Sequence, residues 1–212
     1  MLKAIVTSGA TVERIDPVRY ITNDSSGKQG YAIAQALQAS GVSVTLVSGK
    51  VNIPTPENIN IINVESAEEM LKSVENSLPA DIFVSVAAVC DWKPEHKHFQ
   101  KIKKTSDKDY LDIRFVKTPD ILKAISNHKM RPKIVVGFAA ETENLLENAK
   151  TKLINKGCDY ILANDVSKGV FGSDMNTVSL ISESGIIDEW EKMSKQQVAD
   201  RLVKVILSTI NP

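Results

Sequence analysis

Residues 2 to 39 read LKAIVTSGATVERIDPVRYITNDSSGKQGYAIAQALQA, an apolar strand and an amphipathic helix joined by a long connection. The strand is predicted at Leu2 to Val6 and the helix at Tyr31 to Ala39. A strand-to-helix turn in an α/β fold needs about two to six residues. The connection 7–30 is several times longer and is rich in small and polar residues. Because long structured loops at this place usually hold a ligand, we expect a binding loop here.

The run Ser25 to Lys28 at the helix start resembles two phosphate-binding motifs and matches neither. A P-loop would have Gly where Thr22 stands, and Ser or Thr where Gln29 follows the lysine. A dinucleotide fingerprint needs its glycines directly after the strand, and here they come much later. Backbone N–H groups at the helix start and the two serine hydroxyls still suit an anion. The alternative is an ordinary N-cap at one serine, with Gly27 for loop geometry.

Size and composition limit the class of protein. The 212 residues predict a single domain spanning 1–212 with an ample core. Lys plus Arg and Asp plus Glu both number 26, and this zero net charge argues against general nucleic-acid binding. No apolar stretch suits a signal peptide or a membrane span. Cys90 and Cys158 are far apart and form no metal or redox motif, so we expect a reduced, cytoplasmic protein.

Apolar strand-like runs alternate with helical patterns along the chain, which predicts an α/β fold with a doubly wound, mostly parallel sheet. Further strands are predicted at Val42 to Val47, Ile59 to Val64, Ile82 to Ala88, Ile134 to Ala139 and Tyr160 to Ala163. Capping boxes at Ser66 to Glu69 and Ser194 to Gln197 open two helices, and Glu143 to Lys156 forms another.

Two stretches break this rhythm. Residues 90–117 hold a polar, Lys-rich segment followed by an alternating strand, Leu111 to Val116. Residues 177–191 predict a hairpin that turns at Ser184-Gly185. We expect the two stretches, about 92–117 and 177–191, to pair as a small antiparallel appendage that serves dimerisation.

Six motifs occur in one order along the chain: DPVRYITNDSSGKQG (16–30), AAVCDW (87–92), KIKK (101–104), TPDIL (118–122), VGFAAET (136–142) and ANDVS (163–167). Together they resemble phosphopantothenoylcysteine synthetase of coenzyme A biosynthesis, and the resemblance runs from Ile5 to about Leu202. It implies a Rossmann-like fold and a homodimer. It also implies a free-standing bacterial form, functionally linked to a separate decarboxylase, unless the chain is an excised domain.

The resemblance implies a two-step ligation. The carboxylate of 4′-phosphopantothenate attacks the α-phosphate of a nucleoside triphosphate, and pyrophosphate leaves. The amine of L-cysteine then attacks the acyl-nucleotide and releases the nucleoside monophosphate. Bacterial members use CTP and eukaryotic members favour ATP, so CTP is expected here as co-substrate together with Mg²⁺.

Three residues are implied as catalytic: Arg19, Asn23 and Lys101. Arg19 can hold a carboxylate or phosphate with two parallel N–H bonds, and the family places it against pantothenate bound mainly to the partner subunit. The Asn23 amide can stabilise the carboxylate and the acyl-nucleotide. Lys101 lies in a cationic loop that can close on the triphosphate, although most Lys clusters are solvated. The residues implied for phosphopantothenate are Arg19, Asn23, Ser25, Ser26, Gly27, Lys28, Ala87 and Ala88.

The residues implied for the nucleotide are Ser85, Val86, Ala87, Asp91, Lys101, Pro119, Asp120, Ile121, Leu122, Phe138, Lys152 and Lys156. Several follow predicted strands, and ligands bind at the carboxyl ends of strands in such sheets. Asp91 contacts either a ribose hydroxyl or Mg²⁺ and is the metal-site candidate. Phe138 packs on the base or in the core, and spacing alone leaves both open. For Lys152 and Lys156, solvent exposure is the alternative.

Two other functions remain to be compared. An NAD(P)-dependent short-chain reductase would need a Tyr-x-x-x-Lys pair, and none of the four tyrosines is followed by Lys at that spacing. A non-catalytic nucleotide-binding subunit would tolerate loss of Asn23 and Lys101, and both are present. His96 and His98 lack a third ligand nearby. Cys90 is interpreted as a small packing residue.

Overall fold

The structure is a computed structural model that describes residues 1–104, 109–141, 145–165 and 175–210. Its strands are β1 (Lys3–Ser8), β2 (Val12–Asp16), β3 (Arg19–Thr22), β4 (Ser43–Ser48), β5 (Asn60–Asn63), β6 (Ile82–Ser85), β7 (Trp92–Pro94), β8 (Phe115–Lys117), β9 (Ile134–Glu141), β10 (Tyr160–Asp165), β11 (Met175–Ser182) and β12 (Gly185–Ser194). Its helices are α1 (Lys28–Ala39), α2 (Ala67–Asn76), α3 (Ile121–Ser126), α4 (Leu145–Lys156) and α5 (Lys195–Ile210).

Eight strands form one sheet in the order β12-β11-β10-β9-β6-β1-β4-β5. From β1 the chain adds β4 and β5 on one side, then returns to add β6, β9 and β10 in parallel on the other. The strand order therefore reverses between β1 and β6, where Val6 lies opposite Val84. This confirms the predicted doubly wound, mostly parallel sheet. Ligands bind beside such a reversal, at the carboxyl edge of the sheet.

Helices cover both faces of the sheet because each strand buries alternate side chains on both sides. Helices α1 and α5 pack on one face, where Leu37 and Leu202 are fully buried. Helices α2, α3 and α4 cover the other face, with Met70 and Ile125 inside. Both capping boxes are confirmed, since Ser66 caps α2 through the Glu69 N–H and the second box opens α5.

The long connection after β1 is more structured than predicted. It contains the antiparallel hairpin β2–β3, in which Val12 lies opposite Thr22. Val12 and Glu13 are buried and Arg19 and Tyr20 are exposed, so the hairpin packs through one strand only. The polar composition of the connection masked these two short strands.

The predicted pairing of residues 92–117 with 177–191 is wrong. Strands β11 and β12 extend the main sheet, with Leu180 opposite Leu162 on β10. The hairpin joins this sheet because its apolar residues Val178, Leu180 and Trp190 enter the core beneath α1 and α5. The predicted strand Leu111 to Val116 shrinks to β8, which pairs with β7 as a separate two-stranded sheet.

Some predicted features fall beyond the described residues. They are positions 105–108 of the Lys-rich segment, the helix start at 142–144 and the end of the ANDVS motif. Among the residues that the structure describes, none of the helices is long and apolar enough to cross a bilayer.

Candidate active site

A cleft of about 750 Å³ opens at the carboxyl edge of the sheet, beside the reversal between β1 and β6. It lies among the ends of β1, β6, β9 and β10 and the starts of α1, α3 and α5. Five lysines and two aspartates line it, although the chain as a whole has no net charge. A local cationic excess in a concave site favours a polyanionic ligand.

The cleft gathers most of the residues that the sequence predicts for substrate and nucleotide. These are Ser25, Ser26, Gly27, Lys28, Ser85, Val86, Ala87, Ala88, Asp91, Pro119, Asp120, Ile121, Leu122, Phe138, Lys152 and Lys156. They come from separate parts of the chain, so their convergence supports a common binding site.

The strand end after β6 offers carbonyl oxygens to a ligand. The Thr7 hydroxyl oxygen accepts hydrogen bonds from the Val86 N–H at 3.1 Å and from the Ala87 N–H at 3.2 Å. The Ala88 N–H donates to the Gly9 carbonyl at 2.9 Å. Since these three N–H groups are used within the chain, a ligand that contacts this backbone has to donate hydrogen bonds.

The start of α1 does not have the serine N-cap that was the alternative to an anion site. Gly27 is the N-cap, with a φ of 74°, and no side chain caps the helix. A Cβ at Gly27 would lie 2.4 Å from Cγ1 of Val51, so both conformation and space require glycine there. The Ser25 hydroxyl accepts from the Gly27 N–H at 3.3 Å. The two serines therefore shape the loop and line the cleft, and the positive end of the helix dipole points there.

The opposite wall of the cleft is formed by α3 and α4. The Asp120 carboxylate caps α3 by accepting from the Lys123 N–H at 3.0 Å, and it also accepts from the Lys156 ammonium. Lys152 and Lys156 are half-buried, which contradicts simple solvent exposure. Phe138 packs partly against the core and also lines the cleft.

Asn23 lies at the rim of the cleft and is exposed. Its side-chain N–H donates to the Ala88 carbonyl at 3.2 Å. The backbone carbonyl of Asn23 accepts from the Ser25 N–H at 2.9 Å. Asn23 thus connects the loop that precedes α1 to the end of β6.

Arg19 and Lys101 lie outside the cleft, on the β2–β3 hairpin and the loop beside it. The fully buried Asp16 carboxylate holds both segments. It accepts from the Val18 and Arg19 N–H groups at 2.9 Å each, from Arg19 Nε at 3.0 Å and from the Ile102 N–H at 3.1 Å. Arg19 Nη2 completes the contact by donating to the Ile102 carbonyl at 2.9 Å. Both backbone polar groups of Ile102, which follows Lys101, are therefore held by hydrogen bonds to Asp16 and Arg19.

This network limits what Arg19 can offer a substrate. Its Nε and Nη2 groups are already used by Asp16 and Ile102, which leaves Nη1 for a further partner. The predicted bidentate grip would require Arg19 to release Asp16. The Arg19 guanidinium is also the main reason that the pKa of Asp16 lies well below its usual range.

Asp16→Asn should weaken the protein and loosen the Lys101 loop. The new side-chain N–H groups would face the N–H donors of the Arg19 side chain and of Ile102. The remaining side-chain oxygen could still accept from the Val18 and Arg19 backbone N–H groups. The pKa of Asp16 is lower in the folded protein than in the unfolded chain, so the ionised carboxylate stabilises the fold above the unfolded value of about 3.9. This stabilisation is lost progressively as the pH falls from there through the folded value. We expect a lower melting temperature than wild type at pH 7 and a smaller difference at pH 3. The exposed Asp112→Asn variant is the control, and an equal deficit at both pH values would contradict the assignment.

Several cleft residues were missed by sequence reasoning. They are Ser8, Gln29, Gly30, Val89, Trp92, Lys117, Thr118, Ala139, Asn164 and Lys195. Most stand at strand ends or helix starts beside residues that were found, so position relative to the predicted sheet edge is the signal that could have identified them.

Among the residues that the structure describes, the other reactive side chains form no second site. Cys90 is buried, its Sγ donates to the Thr11 carbonyl at 3.4 Å, and burial raises the pKa of its thiol. This supports the packing role. Within the described ranges, no three His, Cys, Asp or Glu side chains cluster as a metal site.

A family model described as DNA/pantothenate metabolism flavoprotein C-terminal domain matches residues 1–210. The chain belongs to this family. It is 45% identical over 208 residues to the coenzyme A biosynthesis bifunctional protein CoaBC of Haemophilus influenzae, covering 97% of this chain and 51% of that protein. It is also 45% identical over 188 residues to CoaBC of Escherichia coli K12, covering 87% of this chain and 46% of that protein. The chain spans about half the length of these curated relatives.

Solved structures agree with the family assignment. The crystal structure of the C-terminal domain of CoaBC matches with a TM-score of 0.83 and 33% identity, covering 100% of this chain and 97% of that one. A Cab2 mutant in complex with phosphopantothenate-cysteine matches with a TM-score of 0.72 and 16% identity, covering 100% and 89%. At that identity the Cab2 match shows the fold alone. The Rossmann-like character expected from the sequence is thus confirmed.

Proposed function

We propose that this chain is a ligase that joins 4′-phosphopantothenate to L-cysteine through an acyl-nucleotide, the reaction of phosphopantothenoylcysteine synthetase. The observation that carries the proposal is the cationic cleft, which gathers residues predicted for both substrates at the reversal of strand order. Family membership and the similarity to CoaBC, named for coenzyme A biosynthesis, support it.

Two anionic substrates have to meet in this reaction, so catalysis consists mainly of positioning and charge neutralisation. The start of α1, with Ser25, Ser26 and Lys28, holds the phosphate of phosphopantothenate. The opposite wall, with Lys152 and Lys156, holds the nucleotide. The carboxylate then approaches the α-phosphate near the end of β6, its oxygen bonds to phosphorus, and the bond to pyrophosphate breaks.

In the second step the cysteine amine bonds to the acyl carbon, the bond to the nucleotide oxygen breaks, and the amine proton is released. Asn23 is hydrogen-bonded to the Ala88 carbonyl at the rim of the cleft. Its amide stabilises the acyl-nucleotide from there. Lys101 closes over the phosphates and excludes water that would hydrolyse the intermediate. Because Arg19 and Lys101 lie outside the cleft, we assign them to the cleft of a second copy in a homodimer.

Magnesium fits this cleft through one carboxylate. Mg²⁺ commonly takes one or two carboxylates and fills its other positions with phosphate oxygens and water. Asp91 is exposed and lines the cleft, whereas Asp120 is occupied by Lys123 and Lys156. Asp91 would therefore hold the ion, which would offset the charge of the triphosphate.

Pyrophosphate release tests this function directly. The protein is incubated with nucleoside triphosphate, phosphopantothenate and cysteine, and each component is omitted in turn. A ligase releases pyrophosphate only with the acid present. A binding subunit releases none, and a short-chain reductase would instead oxidise a nicotinamide cofactor. The same proposal includes a separate decarboxylase that consumes the product. It also includes a cytoplasmic location.

CTP should be the preferred nucleotide. The strand end presents carbonyl oxygens because its N–H groups are used by Thr7 and Gly9. A carbonyl can accept from the exocyclic amine of cytosine, whereas uracil places an oxygen there. Adenine also carries such an amine, so the expected preference over ATP rests on the resemblance to bacterial members of the family. We expect turnover with CTP to exceed that with UTP by about tenfold or more. Parallel assays with CTP, ATP, GTP and UTP measure this, and a clear preference for ATP would contradict it.

A further inference from the structure

The backbone after β6 leaves the regular pattern of the sheet at the cleft. Strand β6 lies between β1 and β9, and successive N–H groups of such a strand alternate between its two neighbours. After Ser85 this alternation stops, because the Thr7 hydroxyl oxygen accepts from both Val86, at 3.1 Å, and Ala87, at 3.2 Å. Backbone pairing resumes at Ala88, whose N–H donates to the Gly9 carbonyl at 2.9 Å. The Thr7 side chain thus replaces the ladder over two residues.

These two hydrogen bonds fix the direction of two carbonyl groups. In a trans peptide the C=O group points opposite to the N–H group of the same plane. The peptides at 85–86 and 86–87 are trans, since the cis peptide bond in the described part of the chain is Leu78–Pro79. Because both N–H groups point at Thr7, the carbonyl oxygens of Ser85 and Val86 both point away from it. A regular strand would place these two acceptors on opposite sides.

Thr7 has no direct access to a ligand. It is fully buried and does not line the cleft, whereas Ser85, Val86 and Ala87 do. The carbonyl oxygens therefore point from the buried side, where Thr7 lies, toward the cleft. Any effect of the Thr7 hydroxyl on a ligand has to pass through the backbone that it holds.

A pair of carbonyl oxygens selects for donors and against acceptors. The exocyclic amine of cytosine can donate to such an oxygen, whereas the oxygen that uracil carries at the same position is repelled. If the peptide before Val86 or Ala87 turned over, an N–H group would face the base and the selection would reverse. The Thr7 hydroxyl opposes this rotation because it holds both N–H groups on the buried side.

We propose that Thr7 is a positioning residue that sets the selectivity for CTP over UTP without contacting the nucleotide. It does so by fixing the direction of the Ser85 and Val86 carbonyls. This inference rests on the proposed function and on binding of the base at the end of β6.

The principal variant is Thr7→Val, which keeps the branched shape of the side chain and removes the acceptor. The ratio of kcat/KM for CTP to kcat/KM for UTP should fall about tenfold, because the freed peptides can turn an N–H group toward the uracil oxygen. This ratio does not depend on the concentration of folded enzyme. A purely structural role of Thr7 would therefore lower the melting temperature and leave the ratio unchanged.

Two further variants are the controls. Thr7→Ser keeps the hydroxyl and should retain the wild-type ratio. Thr11 is also fully buried, and its hydroxyl oxygen accepts from the Cys90 N–H at 2.9 Å in the same segment. Thr11→Val should therefore lower the melting temperature as well, but keep the ratio. If Thr7→Val does not fold, Thr7→Cys replaces it, since sulfur is only a weak acceptor.

Hydrogen exchange supplies a readout that does not depend on turnover. The Val86 and Ala87 amides should exchange about tenfold faster in Thr7→Val than in wild type or Thr7→Ser. An unchanged ratio in Thr7→Val, or an equal fall in Thr11→Val, would overturn the inference alone. So would a wild-type ligase that does not distinguish CTP from UTP. A wild-type protein that releases no pyrophosphate with any nucleotide would overturn the proposed function.

Discussion

Asn23→Asp should lower the overall rate of ligation by about 10²-fold or more, the usual cost of losing one positioned donor. The substitution replaces the N–H group that donates to the Ala88 carbonyl at 3.2 Å with a second oxygen. Two oxygens would then face each other, and a negative charge would lie beside an intermediate that already carries phosphate. Both effects oppose attack by cysteine.

The two half-reactions should respond differently. Pyrophosphate release without cysteine reports formation of the acyl-nucleotide, and product formation reports its use. We expect the variant to lose more of the second activity than of the first, so that activated intermediate persists. Because Asn23 is exposed, the melting temperature should change little. Asn60→Asp, at the start of the edge strand β5, is the matched control. Near-normal product formation by Asn23→Asp would refute the role of Asn23.

The sequence was most informative where local chemistry decides the structure. The capping box at Ser66 and the apolar run beginning at Ile82 need only neighbouring residues to be recognised. The capping box is confirmed, and the run forms β6, which ends at Ser85 instead of Ala88. The doubly wound topology follows from alternation of strands and helices. It predicts the edge at which Ser85 to Ala88 and Phe138 meet, and the cleft lies there.

Contacts between distant segments were beyond sequence reasoning. The sequence showed Asp16 only as the first residue of the 16–30 motif, yet its carboxylate accepts a hydrogen bond from the Ile102 N–H, 86 positions along the chain. The burial of Trp190, which directs β12 to the main sheet, likewise depends on α5 packing above it.

A shared active site would explain the positions of Arg19 and Lys101. Both lie away from their own cleft, held together through Asp16. Large apolar side chains nearby are exposed, among them Val18 at 56% and Phe99 at 89%. Exposed apolar groups around a cationic element are typical of a surface that contacts another protein. A twofold axis would bring this surface of each copy to the cleft of the other.

Mixing two inactive variants, Arg19→Ala and Asn23→Asp, should therefore restore activity. In a mixed dimer, one site receives both damaged residues and the other receives both intact ones. Equal amounts and random exchange make about half of the dimers mixed, so activity should approach about a quarter of wild type.

Two controls make the recovery interpretable. Subunit exchange is verified with differently tagged chains, and each variant is also mixed with itself. Recovery in the mixed sample alone requires that Arg19 and Asn23 of one site come from different chains, because a site built within one chain would stay damaged in every dimer. Verified exchange without recovery would mean that Arg19 turns toward its own cleft, which would require the Asp16 contacts to break during the reaction.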